Sequence, residues 1–185
     1  MKSRKIFFTL LVAAVCVLLS ITTWAALPSF MWVEGAKQGQ IEGSSDIEGR
    51  EGAIIVYAFG HSVKVPTDLH SGQVTGARIH GPFKILKSFD KSSPKLYQAC
   101  ATGEQLTKVT VKFYRTTAQG TEEHYFTIEL EEAIIVNISP SMPTTFLEQN
   151  AQYRHMETVS FIYRKIKWTW EDGGIVAEDD WLVPK

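Results

Sequence analysis

Hydrophobic and polar residues alternate along residues 107–115, which read TKVTVKFYR. Val109, Val111 and Phe113 fall on one side of an extended chain, and lysines and threonines fall on the other. A spacing of two is that of a β-strand, because successive side chains of a strand point to opposite faces. Gly120 then lies in a polar turn, and EEHYFTIELEEAIIVNIS follows it. These segments predict a long antiparallel hairpin with one buried face.

Two further segments favour a mainly β chain. Residues 53–59, AIIVYAF, are a short apolar run rich in β-branched residues, as strands commonly are. Residues 157–170, ETVSFIYRKIKWTW, keep a spacing near two, and a turn at Asp172-Gly173-Gly174 leads to a last short strand. We expect the acidic pair Asp179-Asp180 in that strand to be solvated or bound to a partner, since neighbours on a strand face opposite ways.

One helix is predicted between these strands. Ser93 is a suitable cap, Pro94 suits the first helical turn, and Gly103 suits a left-handed exit. Leu96 and Cys100 then lie on one side of the helix. We interpret Cys100 as a small core residue, because no neighbouring base or basic group marks it as a nucleophile.

The first 25 residues differ from the rest of the chain. Lys2, Arg4 and Lys5 precede an uncharged apolar run over residues 6–21, and Thr23-Trp24-Ala25 forms a small-residue exit. These are the parts of a secretory signal, with cleavage between Ala25 and Ala26. Two alternatives stay open: an uncleaved anchor over residues 6–27, which is about long enough to cross a bilayer, or a start codon placed too early.

The remaining residues, 26–185, are sufficient for one domain with a real core. Because the leader takes three of the 19 basic residues against 20 acidic ones, this domain is acidic overall. An acidic domain is a poor partner for nucleic acid, whose phosphates need a basic surface. Cys100 is the one cysteine after the leader, so no intrachain disulfide is possible within the domain.

The sequence favours a protein that is not an enzyme and that needs no cofactor or metal. The five histidines lack metal-ligand spacing, and neither GxSxG, HExxH nor a phosphate-binding glycine loop is present. One enzymatic or binding alternative remains, a secreted hydrolase or lectin-like module. It rests on the clustered tryptophans and on His124 and His155.

Residues 67–81, TDLHSGQVTGARIHG, form a long glycine-containing loop, and long ordered loops usually have a function. Arg78 and His80 within it fit a docking element better than a core. Trp168, Trp170 and Trp181 crowd the C-terminal part of the chain. Aromatic and arginine side chains are enriched at the centres of protein interfaces.

Several segments together resemble the haemolysin-coregulated protein (Hcp) family, the inner-tube proteins of type VI secretion. They are GREG, VPTDLHSGQVTGARIHGPF, SSPKLYQACATGEQL, VKFYRTTAQGTEEHYFTIELEEAIIV, YRKIKWTW and DDW. The resemblance extends over nearly all of residues 26–181. Any one segment is weak, but their order and spacing together are specific.

The resemblance implies a β-barrel of two antiparallel sheets with one short flanking helix and a long extended loop. It also implies hexameric rings that stack into a tube inside a contractile sheath, tipped by a spike protein, with some rings holding effectors. The partners are therefore other copies of the chain and the spike, sheath and effector proteins. The loop over residues 66–82 would reach a neighbouring subunit or ring, which makes these the expected interface residues: Asp68, Arg78, His80, Pro82, Phe83 and Trp181.

The leader departs from this resemblance. Family members typically begin near the equivalent of ALPSFMWV, and their tube grows in the cytoplasm before it is expelled. Two hypotheses follow. The protein is a tube subunit that leaves the cell by type VI secretion, or it is an exported or membrane-tethered accessory that binds effectors in the periplasm or at the inner membrane.

Overall fold

A computed structural model describes residues 27–150 and 154–183. The leader, its alternatives and the Ala25–Ala26 junction lie outside the described residues. Within the described ranges, no helix is both long and apolar enough to cross a membrane. The same ranges contain one α-helix, and the rest of their regular structure is almost entirely β-strand.

The strands and helices follow one another in a simple order. The elements are β1 (Ser29–Gly35), β2 (Gly39–Ile41), β3 (Ile54–Val56), β4 (Ala58–Gly60), β5 (Val63–Lys64), β6 (Ile79–His80), β7 (Phe83–Ser88), α1 (Ser93–Thr102), β8 (Gln105–Thr116), β9 (Glu122–Ser141), a 3-10 turn (Glu148–Asn150), β10 (Met156–Ile162), β11 (Lys165–Trp170) and β12 (Ile175–Asp180).

The predicted hairpin is confirmed as β8 and β9, which pair antiparallel in a register that places Val111 opposite Ile128. Strand β9 is 20 residues long and pairs with different strands along its two halves. Its first half pairs with β8 and β11, and its second half pairs with β10. Between the two halves, Glu132 has a positive φ of 51°, which is uncommon for a residue other than glycine and interrupts the regular strand geometry; we call this position the bend.

The predicted division into two sheets is not what the strand pairing shows, and no pairing among the described residues joins β2 to β4, the two ends of the strand path. The chain is mainly β with one short helix, as expected, but the pairings among the described residues form one ten-stranded sheet and a separate β5–β6 ribbon. The main path runs β2-β1-β8-β9-β10-β7-β4, with β3 on β1 and with β11 and β12 joined through β9. Because β9 pairs on both sides of its bend, hydrogen bonding is continuous from β8 and β11 to β10.

The hydrophobic core is built mainly from side chains of the strands, and α1 packs against it. Leu96 and Ala99 of the helix are fully buried, and Cys100 packs against the core as predicted. Gly103 ends the helix in the left-handed conformation, with φ of 63°. The predicted cap is displaced by one residue: Ser93 is the first helical residue, and its hydroxyl is bonded to Glu157 instead.

Candidate functional site

The long loop links two paired strands of the main sheet. Residues 61–82, called the arm here, connect β4 to β7, and the β5–β6 ribbon provides the arm's regular structure. At the far end of the arm, Asp68 Oδ1 accepts hydrogen bonds from the backbone N–H of His70 at 3.0 Å and of Ser71 at 2.7 Å. These bonds lower the pKa of the Asp68 carboxyl. The tip is therefore an ordered turn closed by its own side chain.

The arm exposes apolar side chains to an unusual extent. Leu69 is 95% exposed and Val74 is 66% exposed, and about half of the surface of Val63 and Val65 is also open. Single exposed apolar residues are ordinary, but a contiguous group of them marks an interaction surface in a soluble protein. The arm therefore has the character of a surface that another chain covers.

The base of the arm is tied to the last strand. Asp179 of β12 accepts a short hydrogen bond from Arg78 Nε, and its Oδ2 atom lies 2.8 Å from His80 Nε2. Arg78 Nη2 also donates to the carbonyl oxygens of Asp180, at 2.6 Å, and Val183, at 3.1 Å. Arg78 thus joins the arm to the segment that follows β12.

A tyrosine continues this network inward. The hydroxyl of Tyr163 lies 2.7 Å from His80 Nδ1 and 2.6 Å from His61 Nε2. Burial, with the nearby charge of Asp179, raises the pKa of Tyr163. Burial and the neighbouring His80 lower the pKa of His61. Tyr163 therefore stays a neutral hydroxyl that joins the two histidines at the opposite ends of the arm.

Aromatic rings cover this network. The ring centroid of His80 lies 5.3 Å from that of Trp181 and 6.3 Å from that of Trp168. Beside the network is an open groove of about 530 Å³ whose lining includes Val63, Val65, Val74, Trp168 and Ala177. The groove is largely apolar, so it adds to the apolar surface that the arm exposes.

The structure places the predicted interface residues in different surroundings. Arg78, His80 and Trp181 come together at the base of the arm, where His80 is only 9% exposed. Asp68 lies at the tip and Pro82 is exposed at the end of the arm. Phe83 is fully buried in the hydrophobic core, so in this conformation its side chain is not available to another subunit.

Sequence reasoning missed three members of the base. Tyr163 continues the inward-facing positions of its strand pattern, and it is indeed 8% exposed, but the pattern does not reveal its polar partners. The expectation that Asp179 is solvated or partner-bound is wrong within this chain, because Asp179 is buried and bonded to Arg78. No local signal marked His61.

The histidines behind the hydrolase or lectin-like alternative have separate surroundings. His124 Nε2 lies 2.8 Å from Thr127 Oγ1, while the ring of His155 packs against Phe89. Over residues 27–150 and 154–183, no group of three or more histidine, cysteine or acidic side chains is placed to hold a metal ion. The arm and its base are thus the site that the geometry favours.

Comparison with known proteins gives a consistent result. A sequence model of the family described as "Type VI secretion system effector, Hcp" matches residues 30–170. The major exported protein of Pseudomonas aeruginosa is 46% identical over 168 residues, covering 86% of this chain and 98% of that protein.

Solved structures agree in fold and length. The chain in a crystal structure of an Hcp protein has 38% sequence identity to this chain and superposes with a TM-score of 0.80. The match covers 85% of this chain and 99% of that chain. The secreted protein Hcp3 from Pseudomonas aeruginosa is 40% identical, with a TM-score of 0.70, and covers 86% of this chain and 100% of its own. The arm and the bent sheet described above therefore occur in a chain that belongs to the Hcp family of type VI secretion proteins.

Proposed function

We propose that the protein is a subunit of the inner tube of a bacterial type VI secretion apparatus, forming hexameric rings that stack and are expelled with effectors. The family is structural and not enzymatic. The observation that supports this proposal most is the match to an exported relative over 98% of that relative's length.

The exposed surfaces of the chain support self-assembly. The arm leaves Leu69 and Val74 in water, and the edge strand β12 exposes Ile175 by 68% and Val176 by 53%. An uncovered apolar edge strand is a site for pairing or aggregation unless a partner covers it. A closed head-to-tail ring covers such surfaces in every subunit at once.

We also infer that the sheet curves into the barrel that the family resemblance implies. Residues 54–60 support this inference, because they pair with β1 at their start and with β7 at their end. Tyr57, between the two pairings, donates its N–H to the Leu86 carbonyl oxygen at 2.8 Å. This segment thus connects the beginning of the strand path with its far end.

Ring formation tests the proposed function directly. The protein beginning at Ala26 is purified at pH 7.5, and its mass is measured by native mass spectrometry while its shape is imaged by electron microscopy. We expect six-subunit rings. A strictly monomeric protein at high concentration contradicts the proposal.

Leu69→Ser combined with Val74→Ser is expected to weaken ring assembly or stacking and to leave the fold intact. Each buried aliphatic side chain contributes roughly 1.5–3 kcal/mol to association, so the assembly constant should fall by at least about tenfold. Light scattering against concentration measures the change, and the thermal midpoint should stay the same.

The matched control for the arm variant is Phe146→Ser, which removes an apolar side chain that is 96% exposed outside the arm. Assembly that falls equally in both variants indicates a general effect of surface polarity. Assembly unchanged by the arm variant shows that the arm is not at a subunit interface.

A second candidate, the exported or membrane-tethered accessory protein, rests on the leader. The match to the Pseudomonas aeruginosa relative leaves 14% of this chain without a counterpart, because only 86% of the chain is covered. N-terminal sequencing and fractionation in the native host separate the candidates. A protein that begins at Ala26 in the periplasm favours the accessory role, and an unprocessed protein found only in the cytosol contradicts it.

A further inference from the structure

We propose that the base of the arm is an acid-sensitive latch, formed by the hydrogen-bonded chain of side chains Asp179–His80–Tyr163–His61. The latch keeps the arm closed at neutral pH and after one histidine has been protonated, and the arm opens when both histidines are protonated. The latch itself depends only on contacts within one subunit. Its effect on assembly rests on the proposed function, because only there does the arm reach another subunit.

At neutral pH the donors and acceptors fit in one direction. His80 Nε2–H donates to the Asp179 carboxylate at 2.8 Å, so His80 Nδ1 carries a lone pair and accepts from the Tyr163 hydroxyl at 2.7 Å. The Tyr163 oxygen then accepts from His61 Nε2–H at 2.6 Å. Every group in the chain uses a matching partner.

One added proton is tolerated because the chain can reverse. If the proton binds His80 Nδ1, the imidazolium lies beside the Asp179 carboxylate and now donates to the Tyr163 oxygen. The Tyr163 O–H rotates to donate to His61 Nε2, while the His61 proton moves to Nδ1. The heavy atoms keep their positions, and the new positive charge has an acidic neighbour.

A second proton removes this fit. When both histidines are protonated, each directs an N–H at the Tyr163 oxygen, and the hydroxyl's own hydrogen loses its acceptor in the chain. The two imidazolium rings have centroids only 5.8 Å apart, and Arg78 adds a third positive charge. Asp179 is bonded to Arg78 and His80, and the described contacts of His61 include no carboxylate, so burial makes the repulsion among the three charges costly.

The charged groups around the chain do not offset this repulsion. Asp180, the next residue of β12, directs its carboxylate to Arg164 at 3.2 Å and not to the histidines. Glu178 on the other side is bonded to Lys165 at 2.9 Å. The rings of Trp168 and Trp181 cover the network without a compensating charge. Further protonation is therefore relieved when both imidazolium rings leave Tyr163 and become hydrated.

The position of the two histidines makes the arm the part that moves. His61 lies at the start of the arm and His80 near its end, while Tyr163 lies in the short connection between β10 and β11 and Asp179 lies in β12, both outside the arm. Within the arm, β5 and β6 pair with each other, and the tip is closed by Asp68. Opening the base therefore releases the arm as one unit and leaves the core strands in place.

Hydrogen–deuterium exchange of residues 61–82 tests the latch in the isolated protein at concentrations too low for ring formation. Exchange is measured from pH 7.5 to pH 5.0 and corrected for the intrinsic pH dependence of amide exchange. Opening that is linked to one proton should raise the open fraction by about tenfold per pH unit below the lower histidine pKa. Strands β8 and β9 should keep their protection.

His61→Gln is the main variant, because its amide can still bond to the Tyr163 hydroxyl but takes up no proton. The arm should then lose the pH-dependent part of its exchange. His70→Gln is the matched control, since His70 is an exposed arm residue and should retain the wild-type response. Arm exchange independent of pH in the wild type, or an unchanged response in His61→Gln, overturns the latch.

A measurement on the wild type covers the case in which His61→Gln fails to fold. Nuclear magnetic resonance titration of the histidine rings should show that His61 and His80 titrate in two coupled steps, and independent single-site curves would contradict the proposal. Ring assembly at pH 7.5 is measured in parallel. Rings with a pH-insensitive arm refute the latch alone, and a pH-sensitive arm without rings refutes only the tube function.

Discussion

Replacing Glu157 by alanine is expected to lower the free energy of unfolding by about 3–5 kcal/mol, because it leaves a buried ammonium without its main counter-ion. The side chains of Lys87 and Glu157 are both completely buried, and their charged atoms lie 2.7 Å apart. Asp90 Oδ1, at 2.9 Å from Lys87 Nζ, retains part of the compensation, so the lower half of that range is expected. Urea denaturation measures the change.

Two controls separate the loss of the pair from a general loss of charge. The double variant Lys87→Met with Glu157→Leu removes both charges and should recover most of the lost stability, since apolar residues can replace a buried ion pair. Lys91→Ala breaks an exposed pair with Glu42 and should cost less than about 1 kcal/mol. Equal effects of Glu157→Ala and Lys91→Ala would show that the buried pair does not support the fold.

The second large effect is expected for Phe83→Ala, which should lower the free energy of unfolding by about 3–5 kcal/mol through the cavity that it leaves. Phe83 is fully buried, and its ring stacks on Phe59 with centroids 6.0 Å apart. Its neighbour Pro82 is exposed, so Pro82→Ala should change stability by less than about 1 kcal/mol. Thermal and urea unfolding measure both variants.

The variants Phe83→Ala and Pro82→Ala also decide whether Phe83 is a core residue or an interface residue. Sequence reasoning placed Phe83 with the interface residues, and an interface side chain would affect ring assembly while leaving the unfolding of the monomer unchanged. Replacing a core side chain instead lowers the stability of the monomer itself. Phe83→Ala with wild-type stability but weakened assembly would contradict the core position that the structure gives it.

The local elements of this fold were predictable because their signals are local. The alternation in residues 107–115 and the polar turn at Gly120 predicted β8 and β9, and the helix signals around Gly103 predicted α1. The arrangement of the sheet was not predictable in the same way. It depends on the bend at Glu132, where one long strand changes neighbours, and no alternation of residues marks that change.

The candidate site at the base of the arm was likewise only partly predictable from local signals. Arg78 and His80 stood out because of their residue types within a long loop, and the structure brings them together. For their partner Asp179, the adjacent Asp180 predicts a solvated or partner-bound carboxylate, because neighbours on a strand face opposite ways. Its burial became visible only when the arm was placed against β12.

The amino-acid sequence was enough to predict the β-rich class of the domain, the position of its helix, its acidic charge and its resemblance to the Hcp family. Each of these depends on composition, on residue spacing or on motif order along the chain. The core position of Phe83 and the bond between Arg78 and Asp179 could be recognised only in the folded chain. The physical reason is distance along the chain: Arg78 and Asp179 are 101 residues apart, so only folding brings their charges together.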